Sequence, residues 1–468
     1  MERENAWKKC DKKKIKEVME FAEGYRKFLT ENKTEREVTA YSIAEAKAHG
    51  YRDLAEVIRK GQKLSAGDKV YADNYGKAVA LFNIGTRPIE EGMKILGAHV
   101  DSPRLDIKQN PLYEDSDLVL MDTHYYGGIK KYQWTALPLA LHGVVALKNG
   151  KCIDVVIGED MNDPVLCVSD LLIHLAGDQM AKTASKVVEG EQLDLLVGSM
   201  PVEEKKEKKG EEKEKASKEP AKDYVLKLLQ KKYKFEEEDF LSAELEAVPA
   251  GPARDMGIDS SMILAYGQDD KVCAYTSLVA MLETEKPEYT TVCLLVDKEE
   301  IGSVGATGMQ SRFFENMVAE LMESTGDYSE LKLRRALANS MMLSSDVNAG
   351  YDPNFASAFE KKNTSFLGRG VVFSKFTGAR GKSGSNDANA EYVAKIRAMM
   401  DRDGVAFQTA ELGKVDVGGG GTIAYILAAY GMEVIDCGVA VLSMHAPYEV
   451  TSKIDVYEAM RAYLAFLK

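Results

Sequence analysis

Two histidines and three carboxylates of metal-ligand type fall where strands are expected to end or loops to begin: His99, Asp269, Glu300, Asp346 and His445. A further carboxylate, Glu299, is the direct neighbour of the central one. Imidazole nitrogens and carboxylate oxygens are ligands for divalent ions such as zinc. Two imidazoles and three carboxylates, one of them bridging, suffice for two such ions to share a hydroxide. The spare Glu299 is then the natural base for that water's proton.

The flanking residues carry the detail. Gly97-Ala98-His99-Val100-Asp101-Ser102-Pro103 sets an imidazole and a carboxylate two residues apart at a strand end. A metal-bound histidine usually donates its other ring N–H to a carboxylate, so Asp101 is the candidate orienting partner of His99. In Gly267-Gln268-Asp269-Asp270-Lys271, Asp270 is expected to cap the helix that follows. Asp269, just outside that helix, is then placed to offer one oxygen to each of two ions. Asp297-Lys298-Glu299-Glu300-Ile301-Gly302-Ser303 follows an apolar strand, where adjacent glutamates repel unless a cation compensates. Their side chains diverge, so one can bind metal while the other reaches the water. Ser344-Ser345-Asp346-Val347-Asn348 leaves a second apolar stretch, and Ser443-Met444-His445-Ala446-Pro447 ends a third. Taken singly, each segment has a plainer reading: a loop His–Asp hydrogen bond, a helix cap, an Asp-x-Asn turn, a structural histidine. Together they form the set that a dinuclear site demands.

Gly418-Gly419-Gly420-Gly421-Thr422 is expected to open a helix, whose N-terminal amides attract anions. No Lys-Ser/Thr follows, so it is not a P-loop. It is read as backbone passing close to a substrate, Gly421 included, with a flexible hinge as the alternative.

The elements that must position these residues follow from pattern. Residues 15–60 carry helical periodicity, with Ile15, Val18, Met19, Ala22, Tyr25 and Phe28 on one face. Buried-strand character marks 93–100 and 290–296, a short apolar segment covers 341–344, and 438–444 is the last strand expected, delivering His445. Helices are expected at 272–281, 313–324, 331–338, 388–400, 422–429 and 456–467. Strands alternating with helices predict an α/β fold, a three-layer αβα sheet whose ligands collect outside the strands' carboxyl ends. Between about 107 and 254 the texture shifts to short strands with Gly and Asn turns, as at Asn149-Gly150. This predicts a discontinuous catalytic domain, 1–106 and 255–468, interrupted by a β-rich insertion, 107–254. Within it, residues 203–222 are almost all Glu and Lys and read as a solvated loop.

Composition narrows the function. The 468 residues exceed one core. A net charge of −13 argues against nucleic acid or an anionic membrane as the main partner. Residues 1–14 offer no apolar stretch of signal length, and no run of 18 apolar residues exists to span a membrane. Six scattered cysteines without a C-x-x-C pair predict reduced thiols and a cytoplasmic location. They also leave histidine and carboxylate as the metal ligands.

At these motifs the chain resembles the aspartyl aminopeptidase and vacuolar aminopeptidase-I family of dinuclear zinc exopeptidases. The likeness runs nearly end to end, through Phe28-Leu29, Gly97 to Pro103, Glu299-Glu300-Ile301-Gly302-Ser303 and Leu442-Ser443-Met444-His445. The resemblance implies that His99, Asp269 and Asp346 serve one zinc, that Asp269, Glu300 and His445 serve the other, and that Glu299 is the general base. It implies an inserted dimerisation domain and assembly into a tetrahedral dodecamer. It further implies that His174, in Leu172-Ile173-His174-Leu175, reaches a neighbouring subunit's site, and that Lys375 contacts substrate; for His174, interface packing is the alternative. The chain departs from eukaryotic aspartyl aminopeptidases at Asn348-Ala349-Gly350-Tyr351-Asp352-Pro353, where they carry histidines. It departs again at Trp134-Thr135-Ala136-Leu137-Pro138, where relatives have an Asp-Arg-Asp run, and 375–386 is longer than the family pattern. The metal set is intact, the pattern is closer to a bacterial branch, and the side-chain preference stays unassigned.

The activity expected is removal of one N-terminal residue from peptides with a free α-amine, by two divalent ions, zinc first, with cobalt or manganese chemically allowed. An amidohydrolase of N-acyl amino acids on the same ions is the near alternative. A non-catalytic self-assembling binding protein is the distant one.

Overall fold

In the computed structural model, residues 3–201, 217–379 and 381–468 are described. They form two compact units: one runs to Ser102 and resumes at Ala253, and the other spans Pro103–Pro252.

The first unit is built on a nine-stranded sheet. Its order is Arg52–Asp53, Lys69–Asn74, Ala78–Asn83, Thr290–Val296, Met93–His99, Met341–Ser344, Glu433–Gly438, Val371–Ser374 and Phe407–Thr409. The four central strands, from Thr290–Val296 to Glu433–Gly438, run parallel. All seven residues of Thr290–Val296 and of Met93–His99 are buried, so both faces of these strands must be covered. Alternation then sorts their side chains. Leu96, Ala98, Cys293 and Leu295 join one core, and Met93, Ile95, Val292 and Leu294 join the other. Helices Lys12–Glu31, Glu35–Ala48, Gln268–Glu283, Ala390–Arg402 and Lys453–Leu467 supply the first core. Leu54–Arg59, Phe313–Thr325, Glu330–Asn339 and Ala424–Ala428 supply the second. The result is the αβα arrangement expected from the pattern.

A five-stranded sheet in the same unit has the order Arg254–Met256, Met262–Ala265, Glu449–Ser452, Ala440–Leu442 and Asn348–Ala349. It corrects the strand expected at 438–444. Glu433–Gly438 ends in the large sheet, and the chain then enters the small one as Ala440–Leu442. Glu449–Ser452, which the pattern did not anticipate, is the last strand. The helix expected at 422–429 is only Ala424–Ala428, so the glycines do not open a helix.

The second unit carries a seven-stranded antiparallel sheet, in which Leu139–Ala146 and Cys152–Ile157 pair across the Asn149-Gly150 turn. Residues 203–216 of the charged tract lie outside the described residues. Its end is not a loop: Pro220–Tyr233 is a helix, with proline in its first turn. Glu114 accepts the amides of Ala221 and Lys222, both at 2.9 Å, and so caps that helix from a distant strand.

Candidate metal centre

The large sheet lines up three of the site's segments. His99 is the last residue of its strand, Glu299 and Glu300 begin the turn Glu299–Ile301 after Thr290–Val296, and Asp346 lies just past Met341–Ser344. Val296 pairs with His99, and Ser344 with Gly97, so the three carboxyl ends are adjacent. The small sheet brings the other two. Asp269 follows Met262–Ala265, and His445 lies in the loop between Ala440–Leu442 and Glu449–Ser452. Those outer strands pair directly, with Ala265 opposite Glu449. Gly438 makes room beside them: a Cβ there would stand 1.9 Å from the backbone oxygen of Asp346.

Five carboxylates and imidazoles that are up to 346 positions apart in sequence thus meet at one point. Asp269 presents Oδ1 to His99 Nε2 at 3.1 Å and Oδ2 to His445 Nε2 at 3.2 Å. Glu300 Oε2 is 3.4 Å from the same His445 nitrogen, and Glu299 Oε2 is 3.9 Å from His99 Nε2. Ligand atoms of His99, Asp269 and Asp346 lie within 4.8 Å of one another, as do those of Asp269, Glu300 and His445. A third set, His99, Glu299 and Glu300, meets the same limit.

The electrostatics of this cluster favour a cation. Burial works against charge on Asp269, but hydrogen bonds from His445 and His99 overcome it and hold its carboxyl well below the usual range. Burial also opposes a charge on His99, yet Asp101 and Asp269 prevail and its pKa stands well above an ordinary imidazole. Glu300 and Asp346 are pushed well up, by burial first and by the Asp269 charge second. Burial lifts Glu299 to about 7. Glu300 Oε1 is buried and, among the described residues, accepts no hydrogen bond. An orphaned acceptor amid repelling carboxylates and two imidazoles is a donor set that fits divalent metal.

Two more carboxylates hold the ligands in place. Asp101, fully buried, accepts the amides of Glu299 and Glu300, both at 3.1 Å, and its Oδ1 lies 3.3 Å from His99 Nδ1. Glu449, also buried, accepts the amides of Asp269 at 2.9 Å and His445 at 2.7 Å. Gln268 joins it, donating to the Glu449 backbone oxygen at 2.7 Å. The sequence reading found Asp101 and missed Glu449 and Gln268. The only signal for Glu449 was an acidic residue opening a run of buried strand, four positions past a ligand histidine.

Asp270 is not the helix cap expected of it. Regular helix runs on from Lys271, after non-helical backbone at 269 and 270 and a cis Asp269–Asp270 peptide, and neither Asp270 carboxylate oxygen accepts a backbone amide among the described residues. Asp270 is buried instead, which pushes its carboxyl up. Lys375 follows Val371–Ser374 and pairs with Asp387, which also takes Lys382 at 3.0 Å. Gly421 is exposed, with open space where a Cβ would be, whereas a Cβ on Gly418 would stand 1.9 Å from the Leu412 carbonyl oxygen. His174 belongs to the second unit, on the exposed turn Ile173–Leu175.

A parallel sheet with imidazoles and carboxylates gathered beyond its strand ends is the plan of a metallohydrolase. Comparison with known proteins specifies it. The family described as aminopeptidase I zinc metalloprotease (M18) matches residues 28–467. The probable M18 family aminopeptidase 1 of Clostridium acetobutylicum is 58% identical over 466 residues, covering 100% of this chain and 98% of that one. The crystal structure of an M18 aminopeptidase from Thermotoga maritima superposes with a TM-score of 0.92 at 41% identity, covering 100% and 99% of the two chains. The mApe1 dodecamer of S. cerevisiae shares the fold, with a TM-score of 0.74 at 21% identity over 95% and 96%. The chain belongs to the M18 family and is a metalloaminopeptidase that uses a divalent metal cofactor.

Proposed function

We propose that this aminopeptidase removes single N-terminal residues from peptides at a dinuclear centre. His99 and Asp346 hold one ion, Glu300 and His445 hold the other, and Asp269 bridges them. The observation that carries this reading is Asp269 itself, whose two oxygens face the two histidines separately, at 3.1 and 3.2 Å. Zinc suits the imidazole and carboxylate donors, with cobalt or manganese chemically allowed. When bound, such ions polarise the scissile carbonyl and acidify water.

This chain's own residues do the rest. Glu299 projects from the same turn as Glu300 and is partly exposed, so it is the carboxylate placed to take the water's proton and pass it to the leaving amine. Asp101 orients His99 and the Glu299–Glu300 turn. Lys375 and Gly421 contact substrate in this reading, and Lys375 would have to leave Asp387 to do so. The second unit mediates a dimer-based homo-oligomer, by family resemblance a dodecamer, in which His174 reaches a neighbouring site. Support comes from its surroundings: Leu172, Ile173 and Leu175 expose 55, 69 and 68% of their surface. Six free cysteines accord with a reducing, cytoplasmic location. No helix among the described residues is long and apolar enough to cross a membrane.

The test is a pair of substrates. An aminoacyl anilide should be cleaved and its N-acetylated form should not, with two equivalents of metal per chain by elemental analysis. Cleavage of both would instead favour the amidohydrolase of N-acyl amino acids.

A further inference from the structure

We infer that Glu449 is a positioning residue that sets the affinity of one ion of the pair and leaves the other to Asp101; this rests on the dinuclear reading. Its side chain is buried. What it grips is backbone. Oε2 accepts the amide of Asp269 at 2.9 Å, and Oε1 accepts the amide of His445 at 2.7 Å. Asp269 and His445 lie 176 positions apart in the chain. One carboxylate therefore fixes how far apart two ligands of the same ion stand.

Two further observations show that the grip is needed. His445 has a φ of +64°, a left-handed conformation that a non-glycine residue keeps only where its surroundings hold it there. Its amide is held there by the 2.7 Å bond to Glu449, in a turn closed by the Ala446 amide on the Ser443 carbonyl at 2.9 Å. Glu449 is itself in register with Ala265 across the small sheet, and its carbonyl accepts from Gln268. Gln268 in turn donates to the Ile263 carbonyl at 3.1 Å and accepts from Thr451 at 2.5 Å.

Asp101 does the matching work on the other side. It accepts the amides of Glu299 and Glu300, and its Oδ1 at 3.3 Å and its backbone oxygen at 3.0 Å both face His99 Nδ1. The ligands are thus divided between two carboxylates. Glu449 holds the backbone of His445 and Asp101 faces the ring of His99, while the bridging Asp269 is linked to both, through its amide to Glu449 and through His99 to Asp101.

The experiment is a metal titration of the chelator-stripped full-length chain, with Zn²⁺ in competition against a chromophoric chelator. The wild type should show two binding steps. His445→Ala, which lacks a ligand, identifies the step that belongs to that ion. Glu449→Gln puts an amide N–H₂ where an acceptor is required, and it should weaken the same step by about 10- to 100-fold. The other step should stay within about threefold. Glu449→Asp keeps the charge but retracts it by one methylene. It should weaken the same step less, and it decides the matter if the glutamine variant does not fold by circular dichroism. Unchanged steps, or two steps weakened equally, overturn the inference while leaving the dinuclear reading standing. A wild type that takes a single ion overturns both.

Discussion

Glu299 and Glu300 are adjacent in sequence, and the difference between them is the centre of the proposed chemistry. Glu300 is turned into the cluster with 3% of its side chain exposed, and Glu299 keeps 17%. On this mechanism Glu299→Gln retains both ions and loses about 10²- to 10⁴-fold in kcat, measured on metal-loaded enzyme. A general base must be deprotonated to act. Burial sets Glu299 at about 7 in the metal-free chain, and neighbouring cations favour the carboxylate and lower it. Activity should therefore rise with pH along an acid limb whose midpoint lies below 7. The glutamine variant's residual rate should lack that limb; a variant with the wild-type profile would assign it to another group. At this scale most of the site was legible, because metal chemistry restricts ligands to few residue types. Glu449 was not, since it works through backbone amides, which carry no trace in the sequence.

Secondary-structure elements decide whether those side chains meet. The crossing of Glu433–Gly438 past the Asp346 segment depends on a missing side chain, because a Cβ on Gly438 would overlap the Asp346 carbonyl. Gly438→Ala should cost about 1–3 kcal/mol, seen as a lower melting temperature. It should also displace Asp346, so metal retention after dialysis should fall more than in an alanine variant of exposed Gly431. Unaltered metal content would show that the overlap is relieved elsewhere. The strand expected at 438–444 erred at this same glycine. An unbroken apolar run shows no change of sheet, whereas the packing of Asp346 enforces one. The helix expected at 422–429 is present but shorter, Ala424–Ala428 with helical backbone at the flanking Ile423 and Ala429, and it packs on the second core.

For the whole molecule, the metal centre is a destabilising feature until it is filled. Glu299 near 7 and Glu449 near 8 lie above the ordinary carboxyl range, chiefly through burial. A group whose folded pKa is raised binds more protons folded than unfolded. Between about pH 4 and 8 the metal-free chain therefore loses stability as pH rises. Bound cations compensate these charges and bind better as the ligands deprotonate. The gap between metal-loaded and metal-free melting temperatures should widen by at least about 2 °C from pH 5.5 to 8. A constant gap would mean that the buried carboxylates are already compensated without metal.

The amino-acid sequence by itself determined the ligand types, the alternating apolar strands that force a covered sheet, and the charged spare glutamate. Each of these is local: a donor atom, an apolar run, a pair of neighbours. Only the tertiary structure decided that Asp269 faces both histidines, that Asp270 turns inward instead of capping a helix, and that one buried carboxylate ties Asp269 to His445. Such relations hold between residues more than a hundred positions apart, and they arise from packing two sheets together, which no local pattern encodes.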